Sequence, residues 1–567
     1  MLNRSLVLSG SKGSIAQKAS LLAARTNQNL NLARQKHISS SRNVATTPSS
    51  KGHQVARRRE RDRLDEEEAQ HATGSAHGAQ KYRARLEHLN LWHSLDTIKR
   101  LGHRLSKLDP LQLNPSERLH ELTWSHQLIE QLRSNKEIVQ TEGFLNTRQP
   151  VMAVNELIES VWNIYANSGC GLEFSHMSNQ FEIEWLTSQW ERLNEFFHLS
   201  RQDEQNLAKL LLECEAFDHF MAAKYPTTKR YGCEGAESML VVFDEILRLC
   251  HLGQAEVDEM TKSIGAIDNV IIGMPHRGRL NLLACLLGFE PGAIFSKTRG
   301  QPELDLREAW MAKGDVLSHL STNMRFVYGL DRQHIGLSRD TPEPINVTLL
   351  PNPSHLEVSS PMVVGSARGR AHNILHEYSS SPRFTSLSNN KSKQSSDNIN
   401  KLNYEQHFST ILPVQVHGDA AVAGQGIIQE TLQMANLANF SVGGSLHLVV
   451  NNQIGYTTPS SAGRSARNCT DIFKLIEAPI IHVNAENISS VIRATRLALT
   501  YRQKFAKDIA INLICYRQHG HNEMDEPSFT QPVMYGAIRA RKSIPQSFCD
   551  QISFDKEIGR ASCRERV

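Results

Sequence analysis

The sequence predicts an α/β protein, a mainly parallel, doubly wound sheet preceded by a helical N-terminal region. Two periodicities carry that expectation. From about residue 226, short apolar runs alternate with helical stretches, the β-α rhythm of a parallel sheet. From 83 to 225, apolar residues recur at three- and four-residue spacing, as in Asn155–Tyr165 and Asp203–Tyr225, which is the pattern of amphipathic helices. A length of 567 residues suits two or three domains, and 40% hydrophobic with 22% charged residues is ordinary globular composition.

In chain order, residues 1–45 read as an address. No acidic residue occurs before Glu60, while Arg4, Lys12, Lys18, Arg25, Arg34, Lys36 and Arg42 punctuate a Ser-, Ala- and Leu-rich stretch. That is the composition of a mitochondrial transit peptide, and a matrix location is expected. Residues 46–82 are charged and poor in apolar side chains, a solvated linker. After the helical region at 83–225, the α/β region is expected to run from 226 to 556. Asn269–Phe289 reads strand, turn, helix; ILPVQVHGDAA and GSLHLVVNNQ are strands around a helix; APIIHVNAE and DIAINLICY are two more strands. Residues 378–402, rich in Ser, Asn and Lys, form a loop insertion. Residues 557–567 (EIGRASCRERV) show no periodicity and match the translation of a common sequencing-adapter oligonucleotide, so they are expected to be foreign.

The remaining bulk properties narrow the classes. The net charge of +4 is small for this length, and no basic, aromatic-interleaved surface points to nucleic acid. The apolar runs are strand-length, far short of the roughly 20 residues of a membrane span. Nine cysteines without a C-x-x-C pair suggest reduced structural thiols rather than a disulfide framework or zinc site.

The stretch Gln415–Thr458 carries the chemistry. It reads strand, Gly418-Asp419 turn, helix, strand, then Asn451-Asn452 with a carbonyl at Ile454 two residues on. A lone Gly-Asp is usually a turn and Asn-Asn usually a cap. At the carboxyl ends of adjacent strands, however, they supply a carboxylate, an amide oxygen and a carbonyl, a ligand set for Mg²⁺ holding a diphosphate. Gly424 and Gly426 open a helix whose N-terminus can face the anion. Around this motif lie polar strand-end loops. His276, Arg277 and Arg279 follow a strand and suit an anionic substrate and diphosphate. His319, His355, His417, His519 and His521 sit in comparable loops, where a near-neutral imidazole can move protons; His355 is the one most readily explained as structural.

The Gly-Asp…Asn-Asn pair resembles the thiamine-diphosphate signature, with Ala420 standing where many such enzymes have a second Gly. KRYGCEGAES, IIGMPHRGRLNLL, GDVLSHL, LLPNPSHLEV, HGDAAVAGQG, NNQIGYTT, CTDIFKLIEAPIIHVN, CYRQHGHNEMDEP and ARKSIP occur in the order of the 2-oxoglutarate dehydrogenase-like enzymes. These are the thiamine-dependent first components of 2-oxo-acid dehydrogenase complexes. The resemblance spans about Tyr82 to Pro545, densely after 226, and is strongest to the mitochondrial 2-oxoadipate branch. It implies a thiamine-diphosphate-binding sheet domain, with Arg277 and Ala420 beside the cofactor and Mg²⁺ on Asp419, Asn452 and Ile454. His276 and His319 would line the 2-oxo-acid site, with His417 and His521 nearby as further catalytic candidates. Tyr231 and Ser318 stand where 2-oxoglutarate enzymes resemble one another in having Phe and Tyr. A smaller Ser318 leaves room for one more methylene, worth about 1–3 kcal/mol of discrimination.

The implied activity is oxidative decarboxylation of a 2-oxo dicarboxylic acid, 2-oxoadipate before 2-oxoglutarate, in lysine and tryptophan degradation. The acyl group would pass to a lipoyl-bearing dihydrolipoyl acyltransferase that works with a dihydrolipoyl dehydrogenase. A homodimer is implied as well. The alternatives are a 2-oxoglutarate dehydrogenase of the tricarboxylic acid cycle, or a truncated assembly module without activity. In this family a glutamate from a C-terminal pyrimidine-binding domain activates the cofactor. That domain is expected beyond this sequence, so the 567-residue chain is expected to be inactive alone.

Overall fold

A computed structural model of the chain describes residues 90–113, 130–141, 144–145, 151–196, 199–255, 264–301, 317–328, 343–352, 354–379 and 408–553. The leader, the linker, most of the 378–402 loop and residues 557–567 lie outside the described residues.

The core is an eight-stranded sheet. Its strands are β1 (Cys170–Glu173), β2 (Asn269–Gly273), β3 (Thr322–Phe326), β4 (Ile345–Leu349), β5 (Ile411–Gly418), β6 (Leu446–Asn451), β7 (Ile480–Asn484) and β8 (Ile509–Ile514). They lie in the order β1-β7-β8-β6-β5-β2-β4-β3. The six inner strands pair in parallel, and β1 and β3 close the two edges antiparallel. Parallel strands are covered on both faces, which is why β2, β6 and β8 are buried along nearly their whole length rather than at alternate residues. The mixed α/β class with a mainly parallel sheet is what the sequence predicts.

The helices that matter to the site are α1 (Val154–Tyr165), α2 (Gln180–Phe196), α3 (Arg201–Lys224), α4 (Ser238–Ala255), α5 (Ser359–Ser379), α6 (Asp419–Gly424), α7 (Gly426–Met434) and α8 (Ile488–Phe505). Among the described residues no helix is long and apolar enough to cross a membrane. One continuous core joins side chains of α1 and α3 to those of β2, β5, β6 and β8, so packing runs across the change of texture near residue 225. Strand β1 is the surprise of the helical region. Its four residues, Cys-Gly-Leu-Glu, are too few to show a period, and pairing against β7 makes the strand.

After β2 the chain runs through β3 and β4 on one flank of that strand and returns as β5 on its other flank. The β2/β5 junction is therefore a topological switch point, where connections diverge and leave a crevice at the carboxyl ends.

Candidate functional site

The crevice holds a pocket lined by His276, Arg277, Asp419, Asn452, Ile454 and Arg517, among others. It sits where β2, β5 and β6 end, three neighbouring strands. Asp419 opens α6 directly after β5 and is 3% exposed. Burial pushes its carboxyl up to about 6, opposed by Arg464 and by backbone N–H groups. Its nearest cation is Arg464 Nη1 at 3.8 Å, beyond hydrogen-bond reach. A buried carboxylate left this way fits a divalent cation. Asn452 Oδ1 accepts only a long bond from the Ile454 N–H, 3.3 Å, so an amide lone pair remains for a metal. The Ala420 methyl packs against the turn that follows. A Cβ on Gly455 would stand 2.6 Å from the Ala420 Cβ.

Arg277 is held from behind. Its guanidinium donates to the carbonyls of Gly232 at 3.4 Å and His521 at 3.1 Å, and lies 5.9 Å from the Tyr231 ring centre. Tyr231 has a left-handed backbone, φ 49°, costly for a residue with a side chain. It is kept there by its surroundings. Asp218 on α3 accepts both the Cys233 N–H and the Asn281 amide at 2.9 Å, tying the 231–233 loop to the start of the helix after His276.

The Tyr231 ring lies 3.9 Å from that of His276 and 5.7 Å from that of His521, and Tyr456 meets His521 at 5.1 Å. Burial, reinforced by Arg277, drives His276 down to about 3 and His521 to about 4. Both rings are therefore neutral and weakly basic at neutral pH. His319 lies on the separate turn Leu317–His319, outside the pocket wall, with its pKa lowered by burial and then by Arg279. Ser318 precedes it on that turn.

Two sequence-level expectations change. His417 lines the pocket, yet it is fully buried and both ring nitrogens are engaged. Nδ1 meets Glu357 Oε2 at 2.6 Å and Nε2 meets His447 Nδ1 at 3.0 Å, with His447 in turn on Asp508 at 3.0 Å. No nitrogen of His417 is left for a substrate, because the strand end turns the ring inward. Arg279 is likewise no anion ligand. It is buried and donates to the carbonyls of Leu320, Met274 and Leu350, fastening the helix start to two neighbouring loops. His355 is exposed and does not line the pocket.

The structure also brings in residues the sequence did not single out. Arg517 lines the pocket and binds the carbonyls of His519 and Tyr456 at 2.9 and 3.0 Å. Its place just after β8, as the first residue of the RQHGHNE loop, is the signal that could have found it.

A family model described as "Dehydrogenase E1 component" matches residues 357–555, which contain Asp419, Asn452 and His521. The chain is 40% identical over 452 residues to the human "2-oxoadipate dehydrogenase complex component E1", covering 80% of this chain and 44% of that protein. It is 37% identical over 466 residues to a "Probable 2-oxoadipate dehydrogenase complex component E1 homolog" of Caenorhabditis elegans, covering 81% and 44%. To "2-oxoglutarate dehydrogenase, mitochondrial" of Dictyostelium discoideum it is 32% identical over 461 residues, covering 81% and 40%. The chain thus spans less than half the length of these relatives. A crevice at the switch point and the matching segment that lines it agree, and residues 357–555 carry a dehydrogenase E1 component domain.

Proposed function

We propose that this chain binds thiamine diphosphate through Mg²⁺ and belongs to an enzyme that decarboxylates a 2-oxo dicarboxylic acid, with 2-oxoadipate preferred to 2-oxoglutarate. One observation carries the reading: Asp419, Asn452, Ile454 and Arg277 converge on one pocket at the switch point. Asp419, the Asn452 amide and the Ile454 carbonyl would hold the metal, and Arg277 would face the diphosphate. When bound, thiamine diphosphate supplies an electron sink for the carbanion left by loss of CO₂.

The protein's own part is positioning and proton handling. Arg277 brings a fixed positive charge whose direction is set by the carbonyls behind it. Neutral His276 and His521, braced by Tyr231, can each turn a ring N–H toward the substrate's carbonyl oxygen and stabilise the negative charge that develops there. Ser318, on the same turn as His319, would admit the longer acid. The relatives named for a dehydrogenase complex support a lipoyl-bearing acyltransferase and a dihydrolipoyl dehydrogenase as partners. The name of the Dictyostelium relative and the basic, acid-free leader support a mitochondrial matrix location. A homodimer is part of the same proposal.

The test is calorimetric titration of the chain with thiamine diphosphate at fixed Mg²⁺. Asp419→Ala is expected to weaken binding about 100-fold, or about 2.7 kcal/mol. Unchanged affinity would overturn the site. Substrate choice is read from steady-state rates of the full-length enzyme on both acids; equal or inverted preference would remove the 2-oxoadipate reading.

A further inference from the structure

The turn that carries Asn452 and Ile454 is short and conformationally costly, since Gln453 between them has φ 65° and Tyr456 has φ 57°. Something must hold it. On one side Asn451 Oδ1 accepts the Gln453 N–H at 3.1 Å, while Asn451 Nδ2 donates to Asn512 Oδ1 at 3.1 Å. Asn512 Nδ2 then donates to His482 Nδ1 at 2.9 Å. A ring that accepts at Nδ1 carries its proton at Nε2, and His482 Nε2 stands 3.0 Å from Glu173 Oε2. The other Glu173 oxygen takes Lys474 at 2.8 Å. The chain of donors therefore runs one way, from Asn451 on β6 through β8 and β7 to Glu173 on β1. Its members Asn451, Asn512, His482 and Glu173 are each 6% exposed or less.

On the other side the Gln453 side chain reaches out. Its Nε2 donates to Asp109 Oδ1 at 2.9 Å and to the Cys515 carbonyl at 3.1 Å. Asp109 is itself fixed by the N–H groups of Leu111 and Leu113, at 2.9 and 3.0 Å.

His103, Glu173 and His482 could also be read as a metal site, because their ligand atoms all lie within 4.8 Å of one another. The hydrogen bonds argue otherwise. Asn512 donates to His482, which leaves the Nε2 lone pair unavailable, and Lys474 already neutralises Glu173.

We infer that Asn451, Asn512, His482 and Glu173 on one side, and Asp109 on the other, form a buried clamp whose role is to position the metal-facing turn. The clamp rests on the assignment of that turn to the metal. It makes Asn512 and Asp109 positioning residues, though neither would touch cofactor or substrate. Partners that orient metal ligands typically govern affinity about 10- to 100-fold when removed.

The test titrates the 567-residue chain with thiamine diphosphate and Mg²⁺ by calorimetry, with melting temperature recorded for each variant. Asn512→Ala and Asp109→Ala are expected to weaken binding about 10-fold or more. Val161→Ala, a core truncation in α1, is expected to lower the melting temperature with affinity kept. Wild-type affinity in folded Asn512→Ala overturns the clamp, as does an equal loss in Val161→Ala. Should Asn512→Ala not fold, Asp109→Ala, at a half-buried loop position, decides the question in its place. Asp419→Ala separates the metal site from the clamp. If it binds normally, or wild-type chain binds nothing, the two fall together. If Asp419→Ala fails to bind while the clamp variants bind normally, the clamp alone falls.

Discussion

Asp419 shows what the proposed metal site would cost the fold that carries it. Its carboxyl is buried, its nearest cation is 3.8 Å away, and desolvation raises its pKa from 3.8 to about 6. The sign follows from proton counting. Between those two values the native chain holds a proton that the unfolded chain has released, so stability falls as pH rises through that window and stays low above it. A shift of about two units corresponds to roughly 3 kcal/mol at most. Without metal at pH 7, Asp419→Asn is therefore expected to be more stable than wild type by about 1–3 kcal/mol, with the difference vanishing below about pH 4. Denaturant melts of both proteins across that pH range check it, and a less stable Asp419→Asn at pH 7 contradicts the account. Metal affinity has the opposite slope, because only the ionised carboxylate binds a cation, and it should decline about tenfold per unit below about pH 6. The Gly-Asp was legible in the sequence because Asn-Asn follows it at the end of the next strand, one helix later. The fate of His417, two residues earlier, was not, since which way a strand-end ring points depends on Glu357 and His447, 60 and 30 residues away.

At the scale of elements, the site depends on how closely α6 approaches the turn after β6. The Ala420 methyl fills the space that a side chain at position 455 would need, with a Cβ–Cβ separation of 2.6 Å. Gly455→Ala is expected to cost about 1–3 kcal/mol through overpacking and to weaken cofactor binding as the turn shifts. Ala420→Gly in the same chain should restore most of both losses. A double-mutant cycle with no coupling between the positions would refute the contact. The elements themselves were mostly readable. Inner parallel strands announce themselves as apolar runs, and β5, β6, β7 and β8 all fall where such runs occur. Short pieces defined by pairing were not readable. Strand β1 shows no period, and the segment after His276 begins as an α-helix over Arg279–Asn281 and widens to a π-helix over Leu282–Leu287, a departure that no residue pattern encodes. Asp109 escaped for a related reason. Its contact with Gln453 spans 344 residues, and nothing local to a polar loop indicates which distant amide it will hold.

Across the whole molecule, the change of sequence texture near residue 225 invites a reading as two independently folding domains, and the packing argues for one cooperative unit. Residues of α1, α3 and α4 share a core with β2, β5, β6 and β8, and β1 from the helical region is hydrogen-bonded into the sheet itself. Polar ties cross the same line. Glu182 on α2 receives the Tyr501 hydroxyl at 2.7 Å, and Glu215 on α3 receives Ser543 at 2.6 Å. Separating the regions would expose apolar surface on both sides and strand these carboxylates, so neither half should persist once the other has unfolded. The tryptophans make this measurable. Trp92, Trp124, Trp162, Trp185 and Trp190 precede residue 226, and Trp310 is the only other one, so fluorescence reports chiefly on the helical region while far-UV circular dichroism reports on the whole. In urea the two probes are expected to trace one coincident transition with the same midpoint and slope. A fluorescence transition that finishes while half the dichroism remains would mean that the helical region folds apart from the sheet, and that the hold of Asp109 on the turn proposed to face the metal can be released without unfolding that turn.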